Sequence, residues 1–155
     1  MKKTQPFTNA RLNAVQALYA AEMNGAPIQN IIFQFLNGQI GTKVIDEDEK
    51  GQENFVPIDN MDTALFSKIV QEASKRRSEI KDIILQSLSK DWDKDRIELL
   101  LQCILTAGIC EFFVNPELDA PIIINEYVDI TRSFYDGPEV KLVNAVLDNF
   151  ARKIR

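Results

Sequence analysis

The residues able to carry chemistry are few. The 155-residue chain contains no histidine, so Ser–His and Cys–His nucleophile pairs, histidine metal ligands and the commonest general base near neutral pH are all missing. Cys103 and Cys110 stand seven positions apart inside an apolar run; two thiolates cannot complete a four-thiolate zinc site, and the pair reads as core residues of a reducing compartment. Asp91, Asp93 and Asp95 precede a helical pattern, where capping and the helix dipole account for them. The six glycines form neither GxGxxG nor GxxxxGKS/T, and no carboxylate cluster has metal-ligand spacing. The expectation is a protein that is not an enzyme and needs no cofactor or metal. What remains is phosphate-binding chemistry, in three groups of cations: Lys2, Lys3 and Arg11; the Lys75-Arg76-Arg77 run; and Lys141 with Arg152, Lys153 and Arg155.

A formal net charge of −5 argues against a nucleic-acid binder until it is divided along the chain. Residues 1–45 carry +3, residues 46–62 carry −6 and residues 63–155 carry −2. The acid therefore sits in one segment, around Asp46-Glu47-Asp48-Glu49. With neither apolar period nor strand alternation, residues from about 39 to 60 read as a solvated acidic loop. Without residues 46–62 the chain is at +1, which leaves room for a local basic surface.

These side chains must be placed by helices. Apolar residues recur at three- and four-residue intervals almost throughout, which predicts an all-α single compact bundle of about six helices, one domain over residues 1–155. The first helix runs from Thr8, a candidate N-cap, to Met23, burying Ala14, Leu18 and Ala21 and showing Asn9, Asn13 and Gln16 outward. Pro27 opens a second helix that Asn37-Gly38 closes. Asn60 or Asp62 caps a long third helix to Leu88, whose length predicts a kink and whose Lys75, Arg76, Arg77 and Lys81 face water. The fourth, from Asp93 to Phe113, is the most apolar and the expected centre of the bundle, with Gly108 admitting a neighbour closely. Glu111 falls away from Gln102 and Thr106 on this helix, and is either a buried or interface carboxylate or one that reaches solvent near the helix end. Asp119-Pro121 and Gly137-Pro138 start the fifth and sixth helices. No apolar stretch approaches the ~18 residues of a membrane helix and no signal peptide is visible, so the expected location is the cytoplasm.

Three stretches carry a resemblance. They are Ala10-Arg11-Leu12-Asn13-Ala14-Val15-Gln16-Ala17-Leu18-Tyr19, then Ile124-Asn125-Glu126-Tyr127-Val128 leading to Ser133-Phe134, then Lys141-Leu142-Val143-Asn144-Ala145-Val146-Leu147-Asp148. In order and spacing they resemble the NusB family of transcription antitermination proteins, whose members show A-V-Q-A-L-Y near the start, I-N-E before S-F, and F-V-N-G-V-L-D near the end. The similarity is good over residues 10–23 and 97–151 and is one of pattern between them.

The resemblance implies a function without catalysis. Members bind a single-stranded boxA-type segment of leader RNA, notably in ribosomal RNA operons, together with the ribosomal protein NusE, and the complex modifies the RNA polymerase elongation complex against termination. Carried over by position, the RNA contacts are Lys2, Arg11, Tyr19 and Lys141, with Tyr19 the stacking residue unless it is a core tyrosine; Glu111 faces the partner. Members differ in self-association, which leaves a homodimer open. The chain departs from the family where the arginine-rich start is reduced to Phe7-Thr8-Asn9-Ala10 before Arg11, where Leu142 replaces a phenylalanine, and where Leu101, Thr106 and Cys110 replace an acid, an arginine and a tyrosine. Losing about three phosphate-facing cations flattens the salt dependence of RNA binding. The alternative is a protein-interaction or scaffold bundle with weak or no RNA binding.

Overall fold

The helical periodicity is realised as seven helices and one hairpin. The computed structural model describes residues 5–37, 43–47, 53–57, 60–88 and 97–155. Lys2, Lys3, Asp91, Asp93 and Asp95 lie outside the described residues, as does the predicted start of the fourth helix. The helices are α1 (Gln5–Asn24), α2 (Ile28–Leu36), α3 (Thr63–Lys75), α4 (Arg77–Ser87), α5 (Leu99–Val114), α6 (Ala120–Arg132) and α7 (Pro138–Ile154). The count exceeds six because the long third helix is two, broken at Arg76, whose φ of −110° and ψ of 24° leave the helical region. Asp62 is the N-cap of α3, accepting a hydrogen bond from the Leu65 amide at 2.8 Å. Gly25 closes α1 with a positive φ of 64°, a conformation glycine enters without steric cost.

The acidic segment differs from the expected loop. Residues β1 (Lys43–Glu47) and β2 (Glu53–Pro57) pair as an antiparallel ribbon, with Val44 opposite Val56 and Ile45 opposite Phe55 in register. β-branched and aromatic residues favour such pairing. They lie outside the acidic run on both sides, so the strand signal consists of two short pieces with charge between them. The fold remains helical in every other described segment.

The centre of the bundle is α5, which packs against α1, α3, α4, α6 and α7. Its sequence requires this. Leu101, Ile104, Leu105, Ala107, Ile109 and Phe112 are all buried and point around the whole circumference, so no single neighbour could cover them. Gly108 provides the closest approach: a Cβ there would stand 2.9 Å from Leu147 Cδ1 of α7 and 3.4 Å from Tyr127 Cγ of α6. The missing side chain lets both neighbours settle onto the α5 backbone.

Two polar assignments on α1 are corrected. Asn9 and Asn13 are buried, because the chain entering α3 crosses that face: Asn9 donates to the Asn60 carbonyl at 2.9 Å and Asn13 to Met61 Sδ at 3.3 Å. Thr8 is not an N-cap, since α1 begins upstream of it and its hydroxyl serves another helix. Among the described residues no helix is long and apolar enough to cross a membrane. Gly108→Val, which forces two methyls into the Leu147 contact, is expected to destabilise the fold by about 1–3 kcal/mol, and Gly108→Ala by less because Leu147 can rotate and alanine favours helix; urea unfolding of both variants measures the difference.

Candidate functional site

The residues singled out from sequence divide into an interior group and a surface group. Arg11 and Glu111, one hundred positions apart, are brought together. Arg11 Nε donates to Glu111 Oε1 and Nη2 to Glu111 Oε2, both at 2.8 Å, the two-pronged geometry in which a guanidinium fits a carboxylate best. The third nitrogen, Nη1, donates to Glu126 Oε1 of α6 at 2.6 Å. Tyr127 Oη donates to Glu111 Oε1 at 2.8 Å, Asn115 Nδ2 to Glu111 Oε2 at 3.1 Å, and Thr8 Oγ1 to Glu126 Oε1 at 3.0 Å. One network thus joins α1, α5 and α6.

The geometry follows from local sequence. Glu111 is one turn beyond Ala107 and Gly108 on α5, whose small side chains let α1 and α6 approach. Arg11 follows Ala10, which is fully buried, so the arginine enters the interior with its helix face. Burial by itself lowers the Arg11 pKa, and the hydrogen bonds and negative charge of Glu111 more than reverse this, holding the guanidinium charged above its usual range. Burial pushes the Tyr127 hydroxyl well above its ordinary value, and the adjacent Glu111 carboxylate raises it further. Every nitrogen of Arg11 and both oxygens of Glu111 are occupied by protein.

Two site assignments change on this geometry. Arg11 is buried, its guanidinium committed to two carboxylates, so it is a structural cation and not a phosphate contact. Glu111 is fully buried and cannot meet a partner; of the two sequence readings, the interior one applies. Asn144 and Asn125, which sequence suggests as ties between helices, are exposed, and Glu126 is the residue of that stretch that joins α6 to α1.

At the surface, Tyr19 is 37% exposed on α1 and Lys141 is exposed on α7, two helices that do not pack on each other. The other cations are largely engaged. Arg76 pairs with Glu72 and Glu79 and lies 4.0 Å over the Phe113 ring, Arg77 pairs with Glu22 at 2.7 Å, and Arg152 pairs with Asp148. Arg155 donates to the carbonyls of Leu118 at 2.6 Å and Asn115 at 3.1 Å, closing the chain after α5. Cys103 and Cys110 are buried as expected, and burial pushes the Cys103 thiol up to about 12. A cleft of about 830 Å³ opens between α1, α4 and α5, and the polar residues of α5 that face it are Gln102 and Thr106. Each is already bonded, Gln102 to the Ile97 carbonyl and Thr106 to that of Gln102.

Comparison with known proteins gives a consistent result. The model of the NusB family matches residues 8–152. Transcription antitermination protein NusB of Rhodospirillum rubrum is 36% identical over 153 residues, covering 94% of this chain and 83% of the relative; that of Granulibacter bethesdensis is 32% identical over 156 residues, covering 99% and 92%. Among solved structures, NusB of T. maritima aligns with a TM-score of 0.70 at 21% identity over 99% of this chain and 94% of that one. A crystal structure of antitermination factors NusB and NusE in complex with dsRNA aligns with a TM-score of 0.69 at 22% identity, covering 99% of both chains.

Two outcomes test the interior network. Arg11→Met or Glu111→Leu alone leaves a buried charge without its partner and is expected to cost about 3–5 kcal/mol, whereas the double variant should lose well short of the sum because no charge is stranded; chemical denaturation of the three variants completes the cycle. Because the Tyr127 pKa is raised in the folded state, its contribution is present below the unfolded value of about 10 and is lost as pH climbs above it. Cys103, Cys110 and Tyr135 shift in the same direction, so stability should fall from about pH 9 upward, and Tyr127→Phe should make the fall above pH 10 less steep in thermal melts.

Proposed function

Since the chain belongs to the NusB family, we propose that it acts in transcription antitermination, binding boxA-type leader RNA together with NusE and changing the behaviour of the RNA polymerase elongation complex, notably on ribosomal RNA operons. The observation that carries this reading is the agreement between relatives 32–36% identical over nearly the whole chain, all named transcription antitermination protein NusB, and the exposure of Lys141 and Tyr19 on the surface.

The physical roles divide cleanly. A Lys141 ammonium on an exposed helix face suits a phosphate oxygen, and it releases a condensed counterion when it binds. An exposed tyrosine ring offers a flat face to a splayed base, which is how single-stranded RNA is commonly held. Lys2 is assigned to phosphate on the family relation alone. The buried Arg11–Glu111 pair contributes by holding α1 rigid against α5 and α6, so that the exposed side chains are presented from a fixed scaffold. Activity on transcription places the protein in the cytoplasm, where the polymerase works.

The burial of Arg11 favours a second reading in one respect. With that cation unavailable to RNA, a larger share of the affinity falls to NusE, and at the limit the chain is an interaction bundle that binds NusE with little help from RNA. Self-association into a homodimer would be a further interaction of the same surface.

Fluorescence anisotropy of labelled boxA-type RNA, with and without NusE at several salt concentrations, separates these readings. Binding should be stronger with NusE. Lys141→Ala should reduce the slope of log K against log salt by about one, and Tyr19→Ala should lose about 1–3 kcal/mol at every salt concentration. Absence of RNA binding with folded NusE present would rule out the antitermination reading and leave the interaction bundle.

A further inference from the structure

We infer that Phe7 is a base-stacking residue for single-stranded RNA, an inference that rests on the RNA-binding function proposed above. The case begins with the way the first turns of α1 are held. The Pro6 carbonyl accepts from the Asp62 amide at 3.0 Å, Thr8 Oγ1 donates to Glu126 of α6 at 3.0 Å, Asn9 Nδ2 donates to the Asn60 carbonyl at 2.9 Å, and Arg11 is locked to Glu111 and Glu126. Positions 6, 8, 9 and 11 are all tied down, and Phe7 between them is 46% exposed.

An aromatic side chain left half in water on a helix end fixed from three directions is unusual in two ways. Burying the rest of its ring would stabilise it by the usual hydrophobic gain, yet none of the surrounding contacts moves to cover it. Its backbone is already ordered, so a ligand that stacks on the ring has little conformational entropy left to remove from the protein. A planar base is the ligand whose shape and surface suit one exposed ring; a larger apolar partner would need a patch. The sequence supplies the context. Phe7 lies five residues after Lys2, so a nucleotide stacked on the ring would have its phosphate within reach of the cationic start of the chain.

Phe7 also sits in the stretch where the chain lacks the arginines seen in the family to which it belongs, and stacking can replace part of the affinity those cations supply. The two forms of attraction differ in their response to salt. Stacking on an uncharged ring releases no counterions, whereas a phosphate contact does. Substitution of Phe7 should therefore lower affinity without changing the salt slope.

The test is anisotropy of labelled boxA-type RNA with the full chain and NusE across a salt series, using Phe7→Ala, Phe7→Leu and Phe7→Tyr. Phe7→Ala and Phe7→Leu should weaken binding roughly ten-fold or more, in line with stacking free energies, with an unchanged salt slope and unchanged thermal stability, and Phe7→Tyr should bind as the wild type does. A 2-aminopurine base in the same RNA should be quenched on binding by the wild type and by Phe7→Tyr, and not by Phe7→Leu. Equal binding and quenching by wild type and Phe7→Leu overturns the assignment while leaving the RNA-binding function standing. Failure of the wild type itself to bind RNA with NusE overturns both.

Discussion

A guanidinium buried among helices is tolerable only when each of its nitrogens has an acceptor and its charge has a counter-charge, and the fold is arranged around meeting that demand for Arg11. Glu111 answers it with both oxygens, Glu126 with a third bond, and Tyr127 and Asn115 complete the carboxylate in turn. Each of these partners comes from α5 or α6, so the chemistry of one side chain fixes where α1 sits relative to the middle and the end of the chain. The close packing at Gly108 serves the same end, because it seats Tyr127 against α5 one turn before Glu111. Were the pair replaced by apolar residues of similar size, the bundle could be as stable, and what it would lose is the fixed register of α1.

That register has a functional consequence. Binding a flexible single strand costs less when the protein surface is already in place, and the interior network supplies rigidity to the elements that carry the exposed rings Phe7 and Tyr19. Charge is distributed accordingly. Many of the cations outside the interior are paired with neighbouring carboxylates or carbonyls, so the electrostatic attraction for RNA rests on few residues, Lys141 among them, and on whatever the partner contributes. A shared binding surface, with part of the affinity provided by each protein, makes assembly dependent on both.

The helical architecture is legible in the sequence because apolar spacing at three and four residues is a local signal, and so is the break at Arg76, where a long pattern runs out of polar–apolar regularity. The special character of α5 is equally visible, since a helix apolar on all sides can only be central. Less legible is anything decided by distant residues. Polarity alone places Asn9 and Asn13 outward, and only the crossing of residues 60–61 shows that they are covered. Glu111 has an interior and an exterior reading until the arginine one hundred positions earlier is seen to face it. Val44-Ile45 and Phe55-Val56 are too short, and too far separated by acid, to announce a hairpin, although their β-branched and aromatic types carry the signal once the register is known. For the site, exposure was the missing quantity: sequence names Arg11, Tyr19 and Lys141 alike, and the fold puts the first inside and the other two outside.

The central claim is that Arg11 belongs to the scaffold and that RNA meets the side chains around it. The side-chain Nε–H resonance of Arg11 in a ¹⁵N-labelled sample, followed while boxA-type RNA and NusE are added, tests this directly. The account predicts a slowly exchanging signal at a position set by Glu111 that stays in place while the signals of Lys141, Tyr19 and Phe7 move. An Arg11 signal that exchanges quickly in the free protein, or that shifts on RNA binding as far as that of Lys141, would contradict it.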